Sequence, residues 1–456
     1  MVNSLGKSAG IARRGKAKTL VALALAGMTA MSTSGFALAQ GANELSGDIV
    51  LWSSFTQGPR AEYMQRMADE FMTDHPAVKI TIETFSWAEF TTKWTTGLTS
   101  GQVPDLSTAL PNQVVEMIDV GALAPVDDVI DGIGRDRFYE AALGEGKSDG
   151  VSYSVPIYSH AQVMWYRKDL LESAGIDVPE TWSELADAAA KLNNAPDTYG
   201  LSVPLGTNDM MATRYLNFYV QSKGEDLIDA SGRANLTSPA AIEGINYWVD
   251  LYKQVSPQGS INYNVLDQAT LFYQGKTAFD FNSGFHIGGV ASNSPDLLDQ
   301  IAAAPLPRAA EGDAIYGGET SNVAMVVWNA GDHQDVAKAF LASLYTDGDY
   351  IEFIHSVPGG MLPALSGISE QAAYLDNDTL KQFSDSVSVI EQVIPLGSAV
   401  GMETGPKVQA GLITSQGVIE QMFQDIILNG TAVEDAAKSA EGKLNQLFSS
   451  AGVTFN

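Results

Sequence analysis

The segment VPIYSHAQVMWYRKDLL, residues 155–171, decides how the rest of the chain is interpreted. It has the apolar run of a buried strand, yet Tyr158, Ser159 and His160 stand in the middle of that run. Burying three unpaired polar side chains would destabilise a fold by roughly 1–3 kcal/mol each, whereas a water-filled cleft removes that penalty. We therefore predict that the segment crosses between two lobes and that these three side chains face a cleft.

Strand and helix patterns alternate on both sides of this segment. A buried strand at residues 48–52 precedes a helix at 61–73, and Val78, Ile80 and Ile82 then alternate with polar residues as in a strand. Further helix starts are indicated by capping boxes at 86–89, 181–184 and 431–434 and by the pair Ser238-Pro239. Repeated β-α units predict parallel strands covered by helices, and their number favours two α/β lobes.

The first residues have the pattern of a secretory signal peptide. A basic start, with Arg13-Arg14 in it, precedes the apolar run 19–31 and the small-residue site Ala37-Leu38-Ala39. We predict cleavage after Ala39, with twin-arginine export as the alternative route. No other stretch is long enough to span a membrane, so a periplasmic protein without a membrane anchor is expected.

Charge and cysteine content narrow the possible functions. Five of the 26 basic residues and none of the 54 acidic residues lie before Gln40, so the mature chain carries 21 bases against 54 acids, a net of −33. Such a field repels nucleic acid. The absence of cysteine excludes disulfides and thiolate metal sites.

Motifs for catalysis lack their structural context. Residues 146–150 fit G-x-S-x-G, but a polar turn precedes Ser148 where a nucleophile elbow needs a strand. The Gly275-Lys276-Thr277 segment lacks the first glycine of a phosphate loop, since Thr270 stands there. The five histidines show no metal-ligand spacing. We predict no enzyme, no cofactor and no metal, although a pair of glycosidase carboxylates could assemble without a sequence signal.

Several segments, taken in order, resemble a known family. They are IVLWSSFTQGP, LTSGQVPDL, YSVPIYSHAQVMWYRKDLLESAGIDVPETWSEL, FYQGKTAF and YGGETSNVAMVVW. The chain is similar through nearly its whole mature length to the extracellular solute-binding proteins of carbohydrate ABC importers (family 1, maltose-binding-protein-like). The most specific of these motifs is YRKDLLESAGIDVPETWSEL.

The resemblance implies an α/β protein with the two-lobe periplasmic-binding-protein fold, crossing hinge strands and a central ligand cleft. The expected N-terminal lobe comprises residues 40–157 and 320–370, and the C-terminal lobe comprises 158–319 and 371–456. The implied function is periplasmic capture of a sugar or oligosaccharide by hinge closure, followed by delivery to the permease subunits of an ABC importer. A monomer is expected.

Ligand contacts are expected where strands end and where the chain crosses between lobes. The candidates are Ser54, Phe55, Thr56 and Gln57 after the first strand, Asn112 and Gln113 after a later strand, Tyr158, Ser159 and His160 in the crossing segment, Phe285 as a stacking platform, and Tyr316, Gly317, Glu319 and Met361. His160 stands where family members often carry an acid, and Phe285 where most carry tryptophan.

Three alternatives remain open at this stage. The same fold could bind a phosphorylated polyol, for which Arg60 and Arg214 are the candidate cations. A secreted glycoside hydrolase would share the acidic, exported character of the chain, and so would a carbohydrate adhesin outside transport.

Overall fold

The structure is a computed structural model and describes residues 45–207 and 209–455. The predicted signal peptide, residues 1–39, lies outside this part of the chain. Over the described residues, no helix is both long and apolar enough to cross a bilayer.

The described residues form two mixed sheets and one hairpin. The first sheet has the order β2-β1-β3-β11-β6, the second the order β10-β7-β9-β8, and β4 pairs with β5. The strands are β1 Gly47–Ser53, β2 Val78–Thr84, β3 Leu106–Ala109, β4 Lys147–Ser148, β5 Val151–Ser152, β6 Val155–Ala161, β7 Val163–Arg167, β8 Tyr199–Leu201, β9 Thr277–Asn282, β10 Ile301–Ala304 and β11 Thr320–Val327.

Helices cover both sheets. The α-helices are α1 Pro59–Asp74, α2 Trp87–Ser100, α3 Pro111–Asp119, α4 Asp127–Ile133, α5 Glu140–Gly144, α6 Lys168–Ala174, α7 Trp182–Leu192, α8 Met211–Ser222, α9 Pro239–Val255, α10 Val265–Tyr273, α11 Phe285–Asn293, α12 Gln334–Ser343, α13 Asp347–His355, α14 Ala372–Leu375, α15 Asp378–Gln382, α16 Ser384–Val393, α17 Val408–Ser415, α18 Val418–Asn429 and α19 Val433–Ser450. Short 3₁₀ helices occupy Arg135–Arg137, Gln258–Asn262, Pro295–Gln300 and Ile394–Leu396.

The first lobe is built on the five-stranded sheet. As the β-α-β-α-β pattern predicts, β1 runs parallel to β2 and β3. The sheet is completed by β11 and β6; β11 is antiparallel to both β3 and β6. In α1, Tyr63, Met67 and Phe71 are buried against this sheet, which explains why the periodic apolar stripe forms a helix there.

The second lobe is built on the four-stranded sheet. Strand β7 pairs antiparallel with β9 and β10, and β8 lies parallel to β9. Its core includes Trp182, Trp248 and Phe281, whose rings meet edge-to-face or tilted at 5.5–5.9 Å. One face of the second sheet thus has its own apolar core, and the α/β two-lobe class is confirmed.

Three chain segments connect the lobes and lie side by side. The first is Gln162, between β6 of the first sheet and β7 of the second, and its N–H donates to the carbonyl of Glu319 at 2.9 Å. The second segment leads into β11, and the third contains Gly397 and Ser398. The Thr320 N–H joins them by donating to the Ser398 carbonyl at 3.1 Å. A Cβ at Gly317 would lie 2.1 Å from the Gly397 nitrogen, so only glycine permits this approach.

Contacts near the connecting segments bear on where one lobe ends and the other begins. The chain leaves the first sheet after Ala161, and Ser386 in α16 accepts a hydrogen bond from the backbone N–H of Ala303 in β10, at 3.1 Å. Because α16 also packs against β6, residues 384–393 touch strands of both sheets. The limits predicted from sequence remain a prediction.

Two capping predictions are confirmed and two need correction. Thr181 accepts a hydrogen bond from Glu184 N–H at 3.3 Å, and Ser238 accepts one from Ala241 N–H at 3.2 Å. At α2 the helix begins after Ser86 as predicted, but the serine hydroxyl donates to the Glu89 carboxylate at 2.8 Å and caps no backbone group. The last helix has Ala432, not Thr431, at its N-cap.

Candidate ligand-binding site

Strand β6 distributes its side chains between two faces. Tyr158 and His160 line a cavity between the lobes, whereas Ser159 lies on the opposite face and donates a hydrogen bond to Asn322 Oδ1 at 2.5 Å. Successive strand residues point to opposite sides, so three neighbours cannot share one cleft. The expectation for Ser159 is therefore corrected: this residue faces a separate cavity of about 370 Å³ behind the crossing strands.

The cavity that contains Tyr158 and His160 has a volume of about 200 Å³ and is lined from both lobes and from the crossing segments. Five predicted residues meet there: Asn112, Tyr158, His160, Phe285 and Glu319. The other lining residues are Arg60, Trp87, Leu110, Gln162, Asp209, Met210, Arg214, Val265, Leu266, Ala269, Tyr273, Asn282, Ser283 and Ser321.

A second chamber of about 300 Å³ adjoins the first. The two share Trp87, Leu110, Asn112, Asp209 and Met210, so these side chains border both chambers. The outer chamber adds mainly polar groups, among them Thr91, Thr92, Gln113, Glu116, Thr207, Thr414 and Ser415.

Aromatic rings form one side of the inner cavity. The half-buried Phe285, the first residue of α11, lies 6.3 Å from Tyr158 and 6.3 Å from His160 between ring centroids. The guanidinium of Arg60 stands 5.0 Å above the Phe285 ring and 5.2 Å from the Phe55 ring. Phe285 thus offers an apolar face beside hydrogen-bonding groups.

Two polar atoms of the cavity wall have no protein partner among the described residues. They are His160 Nδ1 and Gln162 Oε1, and Gln162 is only 2% exposed. Burial, with the positive charges of Arg214 and Arg60, lowers the pKa of His160 to about 3, so its imidazole is neutral near pH 7. An unpaired buried polar atom is costly, and a ligand hydroxyl can pair with both a neutral imidazole and an amide oxygen.

Two of the charged groups in the cavity are paired with each other. The Arg214 guanidinium binds the Glu319 carboxylate through two contacts, Nη2 to Oε1 at 2.9 Å and a shorter one from Nε to Oε2. Glu319 is 3% exposed. This bidentate pair ties α8 of the second lobe to the segment that enters β11.

The loop after β1 supports the site from behind. Phe55 is 1% exposed and packs on Tyr158 at 6.5 Å and on Phe353 at 5.6 Å, and the buried backbone N–H of Ser54 donates to Thr108 Oγ1. Thr56 and Gln57 are exposed. None of these four predicted residues lines the inner cavity.

Of the four other predicted residues, one lines the outer chamber and three line neither chamber. Gln113 lines the outer chamber, where its Oε1 accepts the Leu110 N–H at 2.9 Å. The Tyr316 hydroxyl lies 2.8 Å from the Phe218 carbonyl, Gly317 packs on Gly397, and Met361 is fully buried. Tyr316, Gly317 and Met361 are thus removed from the cavity and maintain the connections around it.

Several residues that line the chambers were not predicted from the sequence. Trp87, the first residue of α2, was not among the predicted site residues; it is only partly buried, whereas Phe90 and Trp94 of the same helix are buried. Its position at the start of a helix, just beyond the carboxyl end of β2, was the available signal. Gln162 was signalled by its polarity within an apolar run, whereas Asp209 and Met210 have no local signal because the fold of the second lobe brings them to the cleft.

Comparison with known proteins agrees with this architecture. The model of the family described as bacterial extracellular solute-binding protein matches residues 57–351, more than half of the chain. An arabinooligosaccharide-binding protein of Halalkalibacterium halodurans is 26% identical over 332 residues, which cover 70% of this chain and 72% of that protein.

Two solved structures share the fold. A solute-binding protein of Thermotoga lettingae TMO bound with alpha-D-tagatose has a TM-score of 0.76 at 19% identity and covers 88% of this chain and 100% of its own. A solute-binding protein of Agrobacterium radiobacter K84 in complex with ribitol has a TM-score of 0.76 at 20% identity, with 89% and 100% covered.

Proposed function

Since the chain belongs to the bacterial extracellular solute-binding proteins, we propose that it captures a sugar or short oligosaccharide between its lobes and delivers it to the permease of an ABC importer. The ligand names of its relatives support a carbohydrate: arabinooligosaccharides for one, tagatose and ribitol for two structural neighbours. Release outside the cytoplasmic membrane after removal of residues 1–39, and action as a monomer, belong to the same proposal.

The observation that carries this proposal is the composition of the inner cavity. The Phe285 ring lies 6.3 Å from the His160 ring, and the same cavity is lined by two polar atoms without partners among the described residues, His160 Nδ1 and Gln162 Oε1. Sugars present C–H faces ringed by hydroxyls, so they need a flat apolar surface together with convergent hydrogen-bonding groups. The cavity supplies both within one wall.

Cavity size bears on ligand length. Pockets for drug-sized ligands occupy roughly 300–1,000 Å³, and the inner cavity, at about 200 Å³, suits a single sugar unit. The outer chamber of about 300 Å³ would take additional units of a short oligosaccharide.

The carboxylates of the inner cavity are already engaged, which favours binding over hydrolysis. Glu319 is held by Arg214, and both oxygens of Asp209 accept backbone N–H groups, from Met210 at 2.8 Å and from Val265 at 2.9 Å. A glycosidase needs one carboxyl to donate a proton and another to act as base or nucleophile. Neither Glu319 nor Asp209 is placed for such a role.

Titration calorimetry of the protein with a panel of pentoses, hexoses, disaccharides and polyols tests the proposal. We expect at least one ligand to bind at about micromolar affinity. A binding free energy of roughly −0.3 kcal/mol per heavy atom, summed over a disaccharide, corresponds to a Kd of about that size. At 100 times its Kd the ligand should add about 2.7 kcal/mol of stability. Absence of binding across this panel and across the corresponding sugar acids and phosphates, or chromatographic detection of cleaved oligosaccharide, would refute it.

Closure is tested separately by small-angle scattering. A ligand that contacts both lobes favours the state in which the lobes approach, so saturation should reduce the radius of gyration. A non-transport adhesin would bind without compaction. An unchanged scattering profile at saturating ligand would therefore contradict hinge closure even if calorimetry shows binding.

A further inference from the structure

Arg60 differs from the other charged groups of the inner cavity. Within the described part of the chain, no carboxylate lies within ion-pair distance of its guanidinium, although acids outnumber bases by 54 to 26 in the sequence. Its aromatic neighbours are Phe55 and Phe285. Burial raises the pKa of the Tyr158 phenol, against a lowering effect of Arg60, so this neighbour is neutral as well.

The remaining charges of the cavity are compensated by the protein. Arg214 and Glu319 neutralise each other in the bidentate pair. Asp209 receives the N–H groups of Met210, the N-cap of α8, and of Val265, the first residue of α10. Helix N-termini carry a partial positive charge, so these two helix starts offset the carboxylate. Among the described side chains that line the inner cavity, Arg60 is therefore the charged one whose charged group has neither an ion pair nor a hydrogen bond.

The position of Arg60 adds to this imbalance. It is the second residue of α1, a helix of 16 residues, and cations are disfavoured at helix N-termini. An anion bound there would interact favourably with both the guanidinium and the helix terminus. The unpartnered atoms of His160 and Gln162 on the same cavity wall indicate independently that the site is completed by a ligand.

We propose that the ligand of this protein is a sugar or polyol that bears an anionic group, carboxylate or phosphate, bound by Arg60 at the N-terminus of α1. The hydroxyls of the same ligand pair with His160 Nδ1 and Gln162 Oε1, and its C–H face lies on Phe285. This inference rests on the proposed function and narrows its ligand class. A guanidinium can bind such a group through two parallel N–H donors in a bidentate fork.

Matched ligand sets test the inference on the unmodified protein. Each sugar set contains a neutral sugar, its uronic acid and its phosphate ester, for example glucose, glucuronate and glucose 6-phosphate, with a corresponding galactose set. The polyol set contains sorbitol, gluconate and sorbitol 6-phosphate. In at least one set the anionic member should bind about 10- to 100-fold more tightly than the neutral member, the range for a hydrogen bond to a charged group. The carboxylate and phosphate members distinguish the two sources of charge.

Variants assign the effect to one side chain. Arg60→Gln should abolish the advantage of the anionic member, and Arg60→Lys should retain part of it. Arg66→Gln removes a cation from the same helix, where Arg66 pairs with Glu70 and Glu352, and should leave the advantage intact. Melting curves confirm that each variant is folded.

The outcomes separate the inference from the proposed function. Binding of neutral sugars at equal or higher affinity than their acids and phosphates would overturn the inference and leave sugar capture standing. An anionic advantage that survives in Arg60→Gln would also overturn it. Failure of every neutral and anionic member to bind would overturn the proposed function and the inference together.

Discussion

Phe285 is the single residue at which the proposed sugar binding can be tested most directly. Its ring is half-buried and lines the inner cavity, next to the rings of Tyr158 and His160 and below the guanidinium of Arg60. We expect Phe285→Ala to weaken binding of the sugar found in the panel about 5- to 30-fold, because an aromatic contact contributes roughly 1–2 kcal/mol. Calorimetry measures the change.

Phe285→Trp is the matched variant, since it preserves a flat ring at the same position. It should keep at least the parent affinity. Equal affinities of the alanine variant and the parent would show that the ring is a packing residue and not a ligand platform.

Some residues of the candidate site could be predicted from the sequence, and others could not. Tyr158 and His160 were identified from polarity inside an apolar run, and both line the cavity. Ser159 was grouped with them, although strand alternation alone places it on the other face. The sequence indicated Arg60 only as a candidate cation for a phosphorylated polyol. That no described carboxylate lies within ion-pair distance of it can be seen only when distant segments are brought together by the fold.

At the scale of elements, periodicity predicted β1, α1 and β2, and the capping pattern predicted the start of α2, whereas local hydrogen bonds were less predictable. The box at Thr181 forms, whereas Ser86 bonds to the Glu89 side chain and leaves the helix without a side-chain cap. A short hydroxyl can choose between backbone and side-chain partners of similar energy, so the residue pattern fixes where a helix begins better than which bond caps it.

The contact between α3 and α17 joins elements far apart in sequence. A Cβ at Gly411 would lie 2.2 Å from Glu116 Cγ and 2.8 Å from the Asn112 carbonyl oxygen. Asn112 also donates a side-chain hydrogen bond to the Val400 carbonyl at 3.2 Å. The two helices therefore approach closely because position 411 has no side chain.

We expect Gly411→Ala to destabilise the protein by about 1–3 kcal/mol, as overpacking does. Ligand affinity should fall with it, since Asn112 lines both chambers. Thermal melting and calorimetry measure the two effects. Gly442→Ala is the matched control: this helical glycine has open space around it, and alanine there should stabilise by roughly 0.5–1 kcal/mol. Similar shifts for both variants would contradict a steric role for Gly411.

At the scale of the whole molecule, the two-lobe architecture could be predicted but the lobe limits could not be fixed from sequence. The first sheet continues to Ala161, and α16 packs on strands from both sheets. Such contacts join segments more than eighty residues apart, as between Ser386 and Ala303. Local patterns carry no record of them, so the sequence predicts the existence of the lobes better than their borders.

Buried carboxyls predict how the stability of the molecule varies with pH. Burial raises the pKa of Glu116 to about 6, of Glu403 and Glu420 to about 7, and of Glu145, behind the crossing strands, to about 8. Between the ordinary value of 4.5 and these raised values, the folded state binds protons that the unfolded state does not. Stability should therefore fall as pH rises from about 5 to 8, each group adding a slope of up to about 1.4 kcal/mol per pH unit within its own window.

The sign for His160 is opposite and its window is more acidic. Its pKa is lowered from 6.5 to about 3, so the unfolded state binds the extra proton, and stability is lost as pH falls through that range. Above pH 6.5 this histidine makes no contribution to the slope, and the raised pKa values of the buried carboxyls predict its sign. Maximal stability is therefore expected on the mildly acidic side of neutrality.

Glu420→Gln tests the origin of the neutral-range slope. Glu420 is fully buried, and its Oε1 accepts hydrogen bonds from the N–H and the hydroxyl of Thr213, at 2.9 and 2.8 Å, which a glutamine oxygen can also accept. Denaturant unfolding at several pH values between 5 and 8 should show a shallower decline for this variant than for the parent, mainly below pH 7. Glu311→Gln removes an exposed carboxyl and serves as the matched control. A decline of parental steepness in Glu420→Gln would show that this carboxyl is ionised in the folded state throughout.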